Sequence, residues 1–397
     1  MKNNKRKILY IGVPFHSHVN PIIGIIKALV DNGHHVLFQG IGKLSSELES
    51  LGAKNTGVEY CFNPEPQTVT HPFKALSALF GANATLLPII NEIIQREKPD
   101  CIMHDHFCLW GKIVALQNNI PAVSLITTLV LDPAVLLKYS HTLPIGMHLG
   151  LSDLLEVPTI ASRFLTLKQK SGLRHFKITD ILTNPESLNL VFTSKLFQPL
   201  GEIFDARYKF IGPSIYPRST SNASSWRKDH KRKTLYLCFG TMHGTLDLYK
   251  KCLDILKHTP YQIIVSLGNR IPMTNLGPFP KNVRVYNFVP QLDVLKNVDA
   301  FISHGGMNSV SESLYSNVPL VMIPILNEQV MNASRVQELG AGIMIRQHHF
   351  RPTNLIRAIE HVVTDKSFKK NTRRIQNSFF EAGGYKRGAQ EIENYCL

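Results

Sequence analysis

The sequence predicts an α/β protein built from two doubly wound, Rossmann-like domains, and three observations carry that prediction. Short apolar runs of the buried-strand kind alternate with helical spacings in two successive series. A polar, proline-bearing stretch separates the two series. Finally, 397 residues exceed what one hydrophobic core usually serves, while a 44% apolar composition suffices for two.

The first series opens with a strand over residues 8–13. Ile22, Ile25, Ile26, Leu29 and Val30 then recur at helical spacing, and Asp31-Asn32-Gly33 ends that helix. Strand 36–39, strand 100–104, helix 110–117 and strand 122–126 follow. Residues 129–187 read as helices mixed with long loops, and 189–193 and 208–211 as the last strands of this half. The Phe/Leu/Ile stripe from Phe73 to Leu87 reads as core. Residues 213–233 hold Pro213, Pro217, a Ser/Thr/Asn run and the cluster Arg227, Lys228, Lys231, Arg232 and Lys233, which is linker composition. The second series runs strand 234–239, helix 247–258, strands 262–267 and 283–288, and a helical turn at 292–297. Strand 300–303, helix 308–316, strand 319–323, helix 329–338 and strand 343–345 complete it, with helices from 353 onward. The expected organisation is an N-terminal domain over 1–214, a linker over 215–232 and a C-terminal domain over 233–377, the two domains facing a cleft.

Composition narrows the function. Lys and Arg total 44 against 29 Asp and Glu, a net charge of +15. No zinc-finger spacing, heptad-bearing basic helix or aromatic RNA-binding signature accompanies that charge, so no nucleic-acid partner is expected. The basic surface is read as keeping the chain soluble and attracting an anionic substrate, with peripheral contact with an anionic membrane as the competing use. Cys61, Cys101, Cys108, Cys238, Cys252 and Cys396 show no paired spacing and are read as reduced thiols of a cytoplasmic protein. The best apolar run, 125–137, is interrupted by Asp132 and Pro133, and only the short run 8–13 follows the basic start, so neither a membrane span nor a signal peptide is expected.

The densest constellation is His304-Gly305-Gly306-Met307-Asn308-Ser309-Val310-Ser311-Glu312, placed after a buried strand and opening a helix. Two glycines let the backbone approach a ligand, and the N–H groups at the helix start form an anion site. His304 and Ser309 would add bonds to phosphate oxygens. Glu312, one turn on, suits two vicinal hydroxyls such as those of a ribose. The alternative is an ordinary tight strand-to-helix turn with a capping serine, which a Gly-Gly turn by itself would favour.

Phe288-Val289-Pro290-Gln291 stands upstream, and Asn327-Glu328-Gln329 followed by Asn332 stands downstream. With the glycine-rich turn, these segments resemble the nucleotide-sugar signature of family 1 UDP-glycosyltransferases. The resemblance extends over the whole chain to their bacterial macrolide-type branch, through Phe210-Ile211-Gly212-Pro213, Phe239-Gly240-Thr241 and Glu381-Ala382-Gly383-Gly384. It implies the GT-B fold, with a C-terminal helix at about 378–397 crossing back to the N-terminal domain. It also implies that Phe288 stacks or packs against uracil, Val289 holds the base through its backbone and Gln291 sits near the ribose. Thr241 would reach the diphosphate. His304, Gly306, Asn308 and Ser309 would hold the phosphates, Glu312 the ribose, and Glu328 and Gln329 the sugar. Phe288 and Met307 replace tryptophans common in the family, and Glu328 replaces a common aspartate, which leaves the sugar's identity open.

The second constellation is Pro14-Phe15-His16-Ser17-His18-Val19-Asn20-Pro21 in the first strand-to-helix turn. By the same resemblance His18 is the catalytic base and Asp105, in His104-Asp105-His106-Phe107, the carboxylate that orients it. The chemistry needs such a pair, because an acceptor hydroxyl attacks poorly until a base takes its proton. A competing reading gathers His16, His18, His104, Asp105 and His106 into a metal site, since His-x-His on an extended segment puts both rings on one face. Taken singly, His16 and His106 are read as surface or capping histidines.

The sequence-level expectation is an inverting, metal-independent enzyme without a cofactor. It would move a sugar, glucose by preference, from a UDP-sugar to a hydroxyl of an apolar small molecule: a macrolide or polyketide, a phenolic such as a flavonoid, or a lipid-like alcohol. No Asp-x-Asp occurs, which argues against the class that clamps the diphosphate with a divalent ion. The alternatives are a nucleotide-sugar epimerase of the same fold, a metal-dependent hydrolase and a non-catalytic sugar-binding module.

Overall fold

The computed structural model describes residues 5–59, 72–140, 151–171, 183–217, 231–240, 244–268 and 270–396. The chain divides into two compact units, Met1–Tyr216 with Phe380–Leu397, and Pro217–Phe379.

The first unit holds a seven-stranded parallel sheet of β1 (Lys7–Ile11), β2 (His35–Gly40), β3 (Lys54–Glu59), β4 (Cys101–Asp105), β5 (Ala122–Ile126), β6 (Leu188–Val191) and β7 (Tyr208–Phe210). Their order is β3-β2-β1-β4-β5-β6-β7, so the direction of winding reverses between β1 and β4. Strand side chains alternate faces, and β1 shows the result. Ile8 and Tyr10 join Ile22, Ile25, Ile26 and Leu29 of the helix His16–Asp31 in one core. Leu9 and Ile11 join Leu86, Ile90, Ile93, Trp110 and Val114, from the helices Pro72–Glu97 and Leu109–Gln117, in the core on the other face. Burial on both faces is why these strands read as continuous apolar runs. The apolar stripe expected to be core lies in the helix Pro72–Glu97, where Phe80, Ala82 and Leu86 are buried.

The last helix belongs to this unit. Gly384–Cys396 packs on His16–Asp31, with Ala389 and Ile392 inside their shared core. A Cβ on Gly388 would lie 2.8 Å from Ile25 and 2.9 Å from Ile211, so the two helices meet where a side chain is missing. The C-terminal crossing expected from about 378 is a separate helix that starts at 384, after the break at Gly383-Gly384. The reading of all cysteines as reduced thiols fails at one pair: Cys101, at the start of β4, is bonded to Cys396 at the end of this helix. The two are 295 residues apart, a separation no local spacing could reveal. Cys61 lies outside the described residues.

The second unit holds a six-stranded parallel sheet of β8 (Thr234–Cys238), β9 (Gln262–Ser266), β10 (Val283–Tyr286), β11 (Ala300–Ser303), β12 (Leu320–Met322) and β13 (Gly342–Met344), in the order β10-β9-β8-β11-β12-β13. The winding reverses between β8 and β11. Leu235 and Leu237 of β8 pack with Tyr249, Leu253 and Leu256 of the helix Leu246–Leu256 and with Leu355, Ile359 and Val362 of the helix Pro352–Thr364. Among the described residues no single helix is long and apolar enough to cross a membrane.

Candidate active site

In doubly wound sheets, ligands gather beyond the carboxyl ends of the strands where the winding reverses. In the first unit that place holds His18 and Asp105. Asp105 is the last residue of β4 and is fully buried, and His18 sits in the first turn of the helix that follows β1. Their separation, His18 Nδ1 to Asp105 Oδ2, is 2.7 Å. The other carboxylate oxygen accepts the Phe107 backbone N–H at 2.9 Å. Burial alone would raise the Asp105 pKa, but the neighbouring His18 and His106, with the hydrogen bonds from His18 and Phe107, outweigh it and hold the carboxyl down at about 2. A carboxylate can only accept, so the His18 proton lies on Nδ1 and Nε2 is the basic nitrogen.

Two neighbours complete this corner. Thr127 Oγ1, just past β5, lies 3.1 Å from His18 Nδ1. His106 stacks on His18 with ring centroids 5.7 Å apart, and its Nδ1 donates to the Leu125 carbonyl at 3.2 Å. Burial, ahead of the opposing pull of Asp105, holds the His106 imidazole down at about 4, so it is neutral near pH 7.

The structure separates the histidines that the metal reading grouped. His16 and His18 lie on a helix rather than an extended segment, so His16 is exposed while His18 is buried. His104 turns instead to Glu186, 3.1 Å away. Among the described residues, only His18, Asp105 and His106 bring three potential ligand atoms within 4.8 Å of one another. His106, read as a surface or capping residue, is buried against the dyad.

In the second unit, His304 is the first residue past β11. A Cβ on Gly306 would lie 2.5 Å from its Nε2, and one on Gly240 would lie 2.9 Å from its Cε1. The imidazole therefore has glycine on both sides. Gly305 takes φ +84°, and Asn332 Nδ2 donates to its carbonyl at 3.0 Å, bracing the turn. Gly306 caps the helix Met307–Tyr315, whose first turn carries Asn308 and Ser309. Glu312, one turn further, is buried, and its Oε2 accepts from Gln291 Nε2 at 2.8 Å.

The remaining expected site residues take varied positions. Phe288 is 66% exposed, an unusual setting for a phenylalanine, while Val289 beside it is buried. Glu328 is exposed and accepts from Asn332 at 3.0 Å. Gln329 is buried, and its Oε1 accepts the N–H groups of Ile325 and Leu326, so a bond from it to a sugar would come from its amide nitrogen. Thr241 lies outside the described residues. Sequence reasoning passed over Thr127, although its signal was present: a polar Thr-Thr pair directly follows the buried run Ala122–Ile126.

Residues 234–379 match the family described as UDP-glucoronosyl and UDP-glucosyl transferase. NDP-glycosyltransferase YjiC of Bacillus subtilis (strain 168) is 30% identical over 396 residues, covering 98% of this chain and 97% of that protein. The oleandomycin glycosyltransferase of Streptomyces antibioticus is 24% identical over 397 residues, covering 97% of this chain and 90% of its own length. Among solved structures, the glycotransferase of kitacinnamycin superposes with a TM-score of 0.85 at 24% identity, covering 98% of this chain and 99% of that one. Fold and relatives together define the class, a glycosyltransferase of the GT-B fold. The chain belongs to family 1 of the UDP-glycosyltransferases, in its bacterial macrolide-type branch.

Proposed function

We propose that the enzyme transfers glucose from UDP-glucose to a hydroxyl of an apolar small molecule, with inversion and without a metal or further cofactor. The observation that carries this reading is the buried His18–Asp105 pair, 2.7 Å apart where the winding of the first sheet reverses. His18 Nε2 takes the acceptor's hydroxyl proton as its oxygen attacks the anomeric carbon, the bond from that carbon to the phosphate oxygen breaks, and UDP departs from the opposite face. Asp105 keeps the proton of His18 on Nδ1 and stabilises the imidazolium that forms. The helix start at Gly306, with His304, Asn308 and Ser309, receives the diphosphate, while Phe288, Val289, Gln291 and Glu312 receive uridine. Glu328 and Gln329 are assigned to the sugar. A macrolide, phenolic or lipid-like alcohol is the acceptor class, and the oleandomycin relative favours the first of these. The +15 charge favours the anionic donor, with an anionic membrane surface as its second use.

A mass-spectrometric screen of UDP-sugars against a mixed acceptor panel, run with and without chelator, tests this. Glycosylated product is expected, undiminished by chelation. Activity abolished by chelator and restored by zinc would move the assignment to a metal enzyme built on His18, Asp105 and His106. Sugar isomerised without any acceptor would move it to an epimerase.

A further inference from the structure

We propose that Tyr236 is a positioning residue of the nucleotide pocket, acting through Gln291 to fix the direction in which the Glu312 carboxylate meets the ribose. The inference rests on the reading of Gln291 and Glu312 as ribose-binding residues.

Tyr236 is the middle residue of β8 and only 1% exposed. It therefore reaches the nucleotide through another side chain. Its ring stacks on Phe301 of the neighbouring strand β11, with centroids 4.6 Å apart and planes 23° from parallel, and the two residues are paired in register. That stack aims the hydroxyl. Tyr236 Oη donates to Gln291 Oε1 at 3.3 Å, and Gln291 Nε2 donates to Glu312 Oε2 at 2.8 Å. Burial pushes the Tyr236 phenol well above its usual range, so the hydroxyl keeps its proton and remains a donor.

An amide side chain has two settings related by a half-turn, and this relay selects one. In the observed setting the amide oxygen meets a hydroxyl donor and the amide nitrogen meets a carboxylate acceptor. Turned over, the amide oxygen would oppose the Glu312 carboxylate, acceptor against acceptor. Glu312 thus decides which end of the amide it faces, and Tyr236 anchors the opposite end. Without the hydroxyl, Gln291 loses that anchor and the carboxylate loses a fixed partner. The deficit falls on ligand groups that read the carboxylate's direction, namely the ribose hydroxyls, and spares phosphate binding at His304 and the helix start.

Tyr236→Phe removes the hydroxyl and keeps the stack. The measurement is calorimetric titration of UDP and of 2′-deoxy-UDP into wild type, Tyr236→Phe and Glu312→Gln. Tyr236→Phe should weaken UDP by about three- to tenfold and 2′-deoxy-UDP by less than about twofold, with donor KM raised and kcat kept. Glu312→Gln should abolish the preference for UDP. If Glu312→Gln does so while Tyr236→Phe retains the wild-type preference, the inference about Tyr236 is overturned and the pocket reading stands. Equal weakening of both nucleotides by Tyr236→Phe also overturns it, since that is what a merely structural role would produce. A wild type that does not discriminate, with Glu312→Gln binding UDP normally, defeats the pocket reading itself. Should Tyr236→Phe not fold, Tyr236→Met, which also removes the hydroxyl and leaves Gln291 and Glu312 in place, must narrow the preference likewise, and an unchanged preference would overturn the inference.

Discussion

The two sheets share one strand order around their points of reversal, yet the residues there have different surroundings. In each, the residue directly past the strand beyond the reversal is a histidine: His106 after β4, His304 after β11. His106 is enclosed, its Nδ1 given to the Leu125 carbonyl and its ring laid on His18. His304 is flanked by Gly240 and Gly306, which supply no side chains beside it. The first unit thus surrounds its histidines with a carboxylate, a threonine and aromatic rings, surroundings of the kind the proposed proton transfer needs. The second flanks its histidine with two glycines at a helix start, surroundings of the kind the proposed diphosphate binding needs. One scaffold accommodates both arrangements because the strand order sets only where residues gather, and the flanking turns set what surrounds them.

This contrast is open to direct attack. His18→Ala should cut turnover by about 10²–10⁴, the usual contribution of general-base catalysis, while UDP affinity measured by calorimetry barely moves. Near-normal turnover would dismiss the first unit as the seat of proton transfer. Asp105→Ala should also slow turnover, and the double variant should lose much less than the two losses combined, since an orienting carboxylate contributes little once its imidazole is gone. Additive losses would instead give Asp105 a separate role.

Substitutions in the second unit should show the reverse pattern. Glu312→Ala is expected to weaken UDP by about 1.5–3 kcal/mol, through the loss of hydrogen bonds to a charged group. Unchanged affinity would remove Glu312 from the nucleotide. Gly306→Ala should weaken UDP about tenfold, because the added Cβ would sit 2.5 Å from His304 Nε2 and turn the ring away. A variant binding as the wild type would mean that His304 does not touch the phosphates.

The smallest effect concerns pH. His106 is held at about 4 against an ordinary 6.5, so between those values the unfolded chain binds a proton that the folded chain refuses. Folded stability must therefore fall as pH drops through that window, by at most about 1.4 kcal/mol per pH unit. Asp105, depressed to about 2 from 3.8, contributes stability that is present above 3.8 and lost only as pH falls toward 2. Denaturation midpoints of His106→Phe across a pH series should be flatter between 6.5 and 4, with the loss below 4 retained. An unchanged slope would assign the titration to another group.

Much of this was legible in the sequence because buried parallel strands announce themselves: residues 122–126 and 300–303 were bounded correctly from their apolar runs. The strand Lys54–Glu59 was missed, as its residues Lys-Asn-Thr-Gly-Val-Glu form an edge strand without apolar continuity. Residues 14–21 were read as the first strand-to-helix turn, with helical spacing recurring from Ile22. The helix begins instead at His16, and Pro21 lies inside its early turns. That shift matters for function, because it carries His18 onto a helix and turns it away from His16. The histidine–aspartate pairing was recoverable from motif resemblance. Thr127, His106 and Tyr236 reach their partners through the register of neighbouring strands, a relation among distant segments that no single stretch of sequence displays.

The placement of the helix Gly384–Cys396 has a consequence for how the protein is made. Its Ala389 and Ile392 fill the same core as Ile8 and Ile22, near the other end of the chain. During synthesis the first unit's sheet emerges early, but its core stays open until the helix Gly384–Cys396 has left the ribosome. The second unit, whose chain runs unbroken from Pro217 to Phe379, is complete before then. The usual order, in which the N-terminal domain finishes first, is thereby inverted at the final step. A nascent chain stalled or cut before Gly384 would present the second unit finished and the first with its core unsealed.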